Sequence, residues 1–229
     1  MLSRAIHRNS SKHSFVTIKK KVICNFCDLN KLLKYNRIDN FKELDDNSLM
    51  AQVIAGEIDR AGILYERYKR PLYAYFFRLT GGNNQASEDL VHTVFYRVIR
   101  YRTGFTGKGS FAKWLFRIAH NAGIDYNRKI IRANNYKTEV STTGLEIYEN
   151  KDLENDEQRA ALEKAMSRLK PDERELIVLG KINCLKYKEI ADILNISESN
   201  VKIRLFRTLR KLKDIYIKLD NTKYEKARS

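Results

Sequence analysis

One break between two amphipathic helices constrains this chain more than any other feature. In the stretch EIADILNISESNVKIRLFRTLRKL, residues 189–212, the helical spacing of apolar residues stops at Asn195 and resumes after Ser197. Asn tolerates the left-handed backbone of a tight turn, and Ser is a favourable N-cap for the helix that follows. Because Ala191 is small, the second helix can cross the first closely. The segment is therefore predicted to be a helix-turn-helix.

The second helix of this motif has two different faces. The stretch 199–213 contains six basic residues and no acid. Such a helix can enter the major groove of DNA, with its first residues at base edges and later cations at phosphates. Lys and Arg suit guanine acceptors, whereas apolar side chains suit a thymine methyl group. The alternative is a helical hairpin with a solvated basic face. The candidate duplex-binding residues are Ser199, Lys202, Ile203, Phe206, Arg207 and Arg210.

Composition favours an almost all-α protein with a polyanionic partner. The 229 residues include only two prolines and ten glycines, and no long alternating β-branched run occurs. The formal net charge is +16 and the sequence pI about 9.7. Such an excess of positive charge points to nucleic acid. A basic protein without a polyanionic partner is the alternative.

The first half of the chain predicts four helices, near residues 46–56, 58–79, 87–101 and 110–128. The fourth has an apolar stripe and a separate polar face. That polar face carries an aromatic ring, an amide and several charges, a combination that suits unstacked single-stranded bases. Its residues are Trp114, Arg117, Asn121, Asp125 and Arg128. For Trp114, an anchor in the core is the more favoured reading.

Several other classes of protein are disfavoured. The three cysteines are an odd, low number that fits a reducing cytoplasm, and the lone Cys24-x-x-Cys27 pair lacks two further zinc ligands. We therefore expect neither a metal nor another cofactor. No run of 18 apolar residues occurs, so membrane insertion is not expected. No clustered carboxylates, paired histidines or nucleophile triad indicates an enzyme such as a nuclease.

Charge also marks the ends of the folded parts. Residues 1–44 form a basic extension that is expected to be disordered, since the first 27 residues contain six Lys or Arg and no acid. Residues 131–157 are expected to form an acidic linker, with seven acids between Glu139 and Glu157. Folded sequence is predicted over 45–130 and 158–219, followed by a tail at 220–229.

Two motif sets, in order, resemble one protein family. YKEIADILNISESNVKIRLFRTLRKL resembles the fourth region of bacterial sigma factors. SEDLVHTVFYRVIRY and FTGKGSFAKWLFRIAHNAGIDYNRK resemble the polymerase-binding and promoter-opening parts of the second region. A chain with these two regions and only a short linker is similar to extracytoplasmic-function (ECF) sigma factors. The resemblance implies two small helical domains: a region 2 bundle and a region 4 helix-turn-helix.

The resemblance also implies roles for individual residues. Contact with core RNA polymerase falls to Asp89, His92, Phe95 and Tyr96. Capture of the minus-ten strand falls to the loop 105–110, which contains Phe105 and Lys108, and to Asn121 with Asp125 in the fourth helix. Among the candidate duplex-binding residues, Lys202, Ile203, Phe206 and Arg207 match the readers of the minus-thirty-five element, where Ile203 replaces a frequent Ser. An anti-sigma factor is a further implied partner.

These observations predict a non-enzymatic subunit that directs bacterial RNA polymerase to promoter DNA and opens the strands. The first domain would bind the polymerase and trap melted bases, while the second holds the upstream duplex. Capture of flipped bases would offset their unstacking, without ATP. The alternative is a stand-alone helix-turn-helix transcriptional regulator.

Overall fold

The computed structural model describes residues 44–134 and 153–226, and within these ranges it contains eight α-helices and no strand. The all-α prediction is confirmed. The helices are α1 Asp46–Ala55, α2 Arg60–Leu79, α3 Asn84–Arg100, α4 Phe111–Asn134, α5 Leu153–Ser167, α6 Pro171–Ile177, α7 Tyr187–Leu194 and α8 Glu198–Lys226. A 3-10 turn, Arg102–Gly104, precedes α4, and a π-helical turn, Val178–Ile182, continues α6.

Helices α1 to α4 form the first domain. The carboxylate of Asp45 caps α1, and Gly56 ends that helix in the left-handed conformation, at φ 115°. Helix α2 continues through Pro71. The buried residues recur at helical spacing, as predicted, so one face of each helix lines the core. In α2 they are Ala61, Leu64, Leu72, Tyr75 and Phe76.

Several helix boundaries differ from the sequence-based prediction. Helix α3 starts three residues early, because the side chain of Asn83 accepts the Ala86 N–H at 2.9 Å and caps it. Helix α4 continues to Asn134 and α5 begins at Leu153, so both enter the predicted linker. Helix α8 reaches Lys226, inside the predicted tail. The predictions for the basic extension, for Cys24-x-x-Cys27 and for most of the linker lie outside the described residues.

The second domain contains the predicted helix-turn-helix, made of α7 and α8. Asn195 ends α7 with φ 53° and ψ 48°, the left-handed conformation expected of it. The hydroxyl of Ser197 accepts the Asn200 N–H at 3.2 Å and caps α8. At the start of α7, the Glu189 carboxylate accepts the Lys186 N–H at 2.9 Å. Hence the side chain of Glu189 caps the start of α7, since the side chain of Lys186 has no hydrogen-bond acceptor.

A glycine on the neighbouring helix allows the close packing of the motif. A Cβ atom at Gly180 would lie 3.3 Å from both Ile190 Cδ1 and Leu205 Cδ2. These two side chains come from α7 and α8, respectively, and both are buried. The π-helical turn therefore supports both helices of the motif at once.

The turn at Asn195 provides a direct test of the motif. We expect Asn195→Val to lower the free energy of unfolding by about 1–2 kcal/mol, because a β-branched residue is strained in the left-handed region. Asn195→Gly should leave stability nearly unchanged, since glycine adopts this conformation freely. Chemical denaturation of both variants measures the difference. Equal stability of the two variants would contradict this role for the turn.

The two domains pack against each other through a carboxylate of α6. Tyr75 is fully buried in α2, and its hydroxyl donates to Glu175 Oε1. From α4, His120 Nδ1 lies 2.7 Å from the same oxygen. Burial, followed by the negative charge of Glu175, raises the pKa of Tyr75 well above 10.0. We call Tyr75, His120 and Glu175 the interdomain clasp.

Two arginines extend the contact between the domains. Arg78 in α2 forms an ion pair with Glu163 in α5. Arg174 in α6 donates to the carbonyl oxygen of Arg78, and its guanidinium also reaches three carbonyl groups around the end of α5. Burial of its guanidinium is the largest cause that lowers the pKa of Arg174. Docking thus depends on directional polar contacts as well as apolar burial.

Candidate nucleic-acid interface

The predicted recognition face of α8 is open to solvent along its length. All six candidate residues, Ser199, Lys202, Ile203, Phe206, Arg207 and Arg210, are exposed. Phe206 retains 70% and Ile203 51% of their accessible surface. A large apolar side chain this exposed beside arginines suits contact with base edges and thymine methyl groups.

The opposite side of α8 fixes this face in position. Helical periodicity predicts burial of Val201, Leu205, Thr208, Leu209 and Leu212; all of these are buried except Leu209, which is half-buried. On the flank, Lys211 Nζ lies 2.7 Å from Glu173 Oε2 on α6. Burial alone would raise the pKa of Glu173, but hydrogen bonds from Lys211 and from the Lys170 N–H lower it overall. Lys211 therefore holds α8 onto α6, whereas the arginines remain available to DNA.

At the first turn of α8, one lysine already has partners. Lys202 Nζ lies 2.7 Å from Glu198 and 5.9 Å from the centre of the Tyr187 ring. Exposed pairs of this kind contribute little to stability. Phosphate or guanine can therefore replace Glu198 at small cost.

The polar face of α4 forms a second exposed surface, in the first domain. Arg117, Asn121 and Arg128 are exposed on α4, and Lys108 is exposed in the preceding loop. Asp125 is half-buried, because Arg97 on α3 binds it at 2.8 Å. The amide and the cations predicted for single-stranded DNA are therefore accessible to solvent.

Two aromatic residues predicted for this surface pack against other rings; Phe105 is buried and Trp114 is half-buried. Phe105 retains only 8% of its accessible surface, and its ring centre lies 5.4 Å from that of Trp114. Both rings also pack against Phe111. Phe105 is thus a core residue in this structure, and Trp114 adopts the anchor position that was its more favoured reading.

The predicted polymerase contact is open at three of its four positions. Asp89, His92 and Tyr96 are exposed on α3. Phe95 is buried, with its ring centre 4.9 Å from that of Tyr65 in an edge-to-face contact. Its place on the apolar stripe of α3 explains this, since a ring there completes the core. Phe95 can therefore affect the polymerase contact only by packing beneath the exposed residues of α3.

Sequence reasoning missed a set of contacts that joins the two surfaces. Ser110 donates to Glu189 Oε1 at 2.5 Å, and Lys113 binds Asp192. The hydrogen bond from Lys113 holds the pKa of Asp192 below its usual range. Carboxylates of α7 thereby cover the beginning of α4, next to Arg117. No local pattern predicts these pairs, because their members lie 79 residues apart.

No group of three or more potential ligand residues that could hold a metal ion occurs within 44–134 and 153–226. Among the described helices, none is both long and apolar enough to cross a membrane. Cys184, the one cysteine in this part of the chain, is exposed, and its thiol donates to the carbonyl oxygen of Lys181 at 3.8 Å.

Comparison with known families matches both halves of the chain. The family model described as Sigma-70 region 2 matches residues 64–132 of this chain. The family model described as Sigma-70, region 4 matches residues 159–212. These matches contain the α4 surface and the α8 face, respectively.

Individual relatives lead to the same family. The chain is 31% identical over 173 residues to the ECF RNA polymerase sigma factor BldN of Streptomyces coelicolor, covering 72% of this chain and 63% of BldN. The chain thus spans less than two thirds of the length of that relative. It is 30% identical over 153 residues to the ECF RNA polymerase sigma factor SigM of Bacillus subtilis, covering 67% of this chain and 93% of SigM.

Solved structures share the fold. CnrH, in complex with the cytosolic domain of CnrY, superposes with a TM-score of 0.56 at 24% identity, covering 74% of this chain and 96% of that one. The sigma factor RpoE of Bartonella quintana, in complex with the anti-sigma factor NepR, gives 0.58 at 23% identity, covering 69% and 96%.

Proposed function

Because this chain belongs to the ECF branch of the sigma-70 factors, we propose that it binds core RNA polymerase and directs it to promoters. Two separate exposed surfaces support this function. The α8 face suits duplex DNA, and the α4 face suits unstacked bases. A stand-alone helix-turn-helix regulator would use only the first of them.

In this proposal the α8 face reads the minus-thirty-five element. Arg207 donates to base or phosphate acceptors, while Ile203 and Phe206 contact thymine methyl groups. The exposure of all three supports these roles. The apolar pair should favour an upstream element that contains thymine at the contacted steps.

The first domain engages both polymerase and melted DNA. Asp89, His92 and Tyr96 contact the polymerase from one face of α3, while Asn121 and its neighbouring cations on α4 hold bases of the minus-ten strand. Binding of flipped bases offsets the cost of unstacking them, so opening needs no ATP. The protein is accordingly a non-enzymatic initiation factor that acts in the cytoplasm beside its polymerase.

The docked arrangement sets an order for these events. Glu189 and Asp192 lie against Ser110 and Lys113, at the start of the strand-capturing helix. In the docked form Glu189 occupies the Ser110 hydroxyl and Asp192 neutralises Lys113, so a phosphate gains little attraction at these two residues. We therefore place any contact of Ser110 and Lys113 with the strand after the domains have separated, whereas the exposed face of α4 is accessible in the docked form. An anti-sigma factor is a further proposed partner.

Pull-down with core polymerase, followed by run-off transcription, tests this function. We expect the intact chain to bind core enzyme and to give a product that depends on a promoter selected with the reconstituted holoenzyme. His92→Ala should weaken core binding without unfolding the domain, because His92 is exposed. Arg168→Ala, a change of an exposed residue on no proposed surface, is the control. Absence of both core binding and promoter-dependent product would exclude the proposal.

A further inference from the structure

Docking of the two domains fixes the distance between the two DNA-binding surfaces. Ser110 Oγ at the start of α4 lies 2.5 Å from Glu189 Oε1 on α7. About one turn further along both helices, Lys113 Nζ lies 2.5 Å from Asp192 Oδ2. The carboxylate of Glu175 on α6 contacts polar side chains of α2 and α4. The helix that carries the single-strand surface and the helix before the recognition helix are therefore joined side chain to side chain.

These contacts set an upper limit on the separation of the two surfaces. Asn121, at the centre of the α4 face, lies eleven residues after Ser110. From Glu189, the rest of α7 and a short turn lead to Phe206, eight residues into α8. At ~1.5 Å per helical residue and at most ~3.8 Å per residue in the turn, the whole path from Asn121 to Phe206 is shorter than about 65 Å. Because α8 crosses α7, the direct distance is smaller still.

Promoter DNA requires a larger separation. In the proposed function α4 holds the minus-ten element and α8 the minus-thirty-five element, whose positions differ by about 25 base pairs, or ~85 Å of duplex at ~3.4 Å per base pair. Duplex DNA resists strong bending over so short a length. Each surface is exposed in the docked form, so each element can be contacted singly. The docked chain is too short to hold both elements at once.

Docking and simultaneous binding of the two promoter elements therefore exclude each other. When only the separated form of a chain can bind, the apparent affinity falls in proportion to the fraction of molecules that are separated. This cost enters the affinity of the whole assembly at whichever step the domains part, since the free energy does not depend on the route. The interdomain contacts thus compete with the promoter.

We propose that the docked form is an autoinhibited state, in which α6 and α7 act as a latch on α2 and α4. The latch consists of the interdomain clasp together with the Ser110–Glu189 and Lys113–Asp192 contacts. This inference rests on the proposed sigma-factor function and adds a regulation that the chain carries within itself. The latch is made of hydrogen bonds and ion pairs between side chains, so single substitutions change its strength.

A cleavable cross-link across the latch tests the inference directly. Lys113→Cys and Asp192→Cys are combined in a chain whose three native cysteines are replaced by serine, and a bismaleimide with a disulfide in its spacer joins the two positions. Run-off transcription uses core polymerase and a promoter selected with the wild-type holoenzyme. The joined chain should give less than about a tenth of the product of the same chain after reduction. Both arms lack the same ion pair, so the comparison measures the connection alone.

A single substitution in the clasp tests the opposite direction. Glu175→Ala should lower, about 10-fold or more, the concentration of chain that gives half-maximal product at fixed core polymerase and promoter. Asp172→Ala, which removes an exposed acid of the same helix, is the matched control and should leave that concentration unchanged.

The outcomes separate this inference from the function on which it rests. Equal product from the joined and the reduced chain would overturn autoinhibition. An unchanged half-maximal concentration for Glu175→Ala, in a chain whose domains are shown by energy transfer to be apart, would overturn it as well. Absence of promoter-dependent product from both the wild-type and the reduced chain would instead reject the sigma-factor function itself.

Discussion

Glu175→Ala is expected to weaken docking of the two domains by about 3 kcal/mol. The substitution removes the only acceptor that the clasp offers to the Tyr75 hydroxyl and to His120. Each buried polar group left without a partner costs about 1–3 kcal/mol. The destabilisation cannot exceed the free energy of docking, because water hydrates the Tyr75 hydroxyl and His120 once the domains separate. We therefore expect opening of the chain and not unfolding of either domain.

Energy transfer between dyes at the exposed positions Glu88 and Asp214, one in each domain, measures this opening. Tyr75→Phe is the matched control, since it keeps the ring and removes one donor. Its effect should be smaller than that of Glu175→Ala. An unchanged dye separation in Glu175→Ala would show that the clasp does not hold the domains.

The clasp also predicts a dependence of docking on pH. The pKa of Tyr75 is raised above its ordinary value of 10.0 by burial and by Glu175. A raised pKa means that docking favours the protonated hydroxyl. This contribution is fully present below about pH 10 and is lost as the pH rises through the higher pKa of the docked state.

Arg207→Ala is expected to cost about 1–3 kcal/mol in binding of the upstream promoter element. Arg207 is exposed on α8, one residue after Phe206, and no acid lies between Ser199 and Lys213. A guanidinium here can bind guanine O6 and N7 through two hydrogen bonds. If it does, affinity should fall chiefly on sequences with guanine at the contacted step.

Holoenzyme binding to a set of single-base variants of the upstream element measures this preference. Lys213→Ala, six residues further along the exposed side of α8, is the control and should cause at most a uniform, salt-dependent loss. A uniform loss from Arg207→Ala on every sequence would show that Arg207 contacts phosphate only.

Local chemistry made the helix-turn-helix predictable. Turn conformation at Asn195 and capping by Ser197 depend on residues that are close in sequence, and both occur as expected. The buried and exposed faces of α8 follow from helical periodicity in the same way. Helix ends were less predictable, because the Asn83–Asn84 pair suits a turn as well as the N-cap it provides.

Packing decided what local pattern could not. Phe95 lies on the apolar stripe of α3, but Phe105 follows a glycine in a polar loop, and only the positions of Phe111 and Trp114 show that Phe105 belongs to the core. The sequence shows that an aromatic residue occurs in α3 and in the loop before α4. It does not predict which ring the fold leaves exposed.

The sequence by itself determined the helical fold, the two-helix motif and its cationic face, because these depend on the order of neighbouring residues. Only the tertiary structure decided how the domains meet. Glu175 lies 100 residues from Tyr75, and Asp192 lies 79 from Lys113. A carboxylate next to such a distant partner has no signature in its own segment. The docked form and the clasp therefore come from the assembled chain.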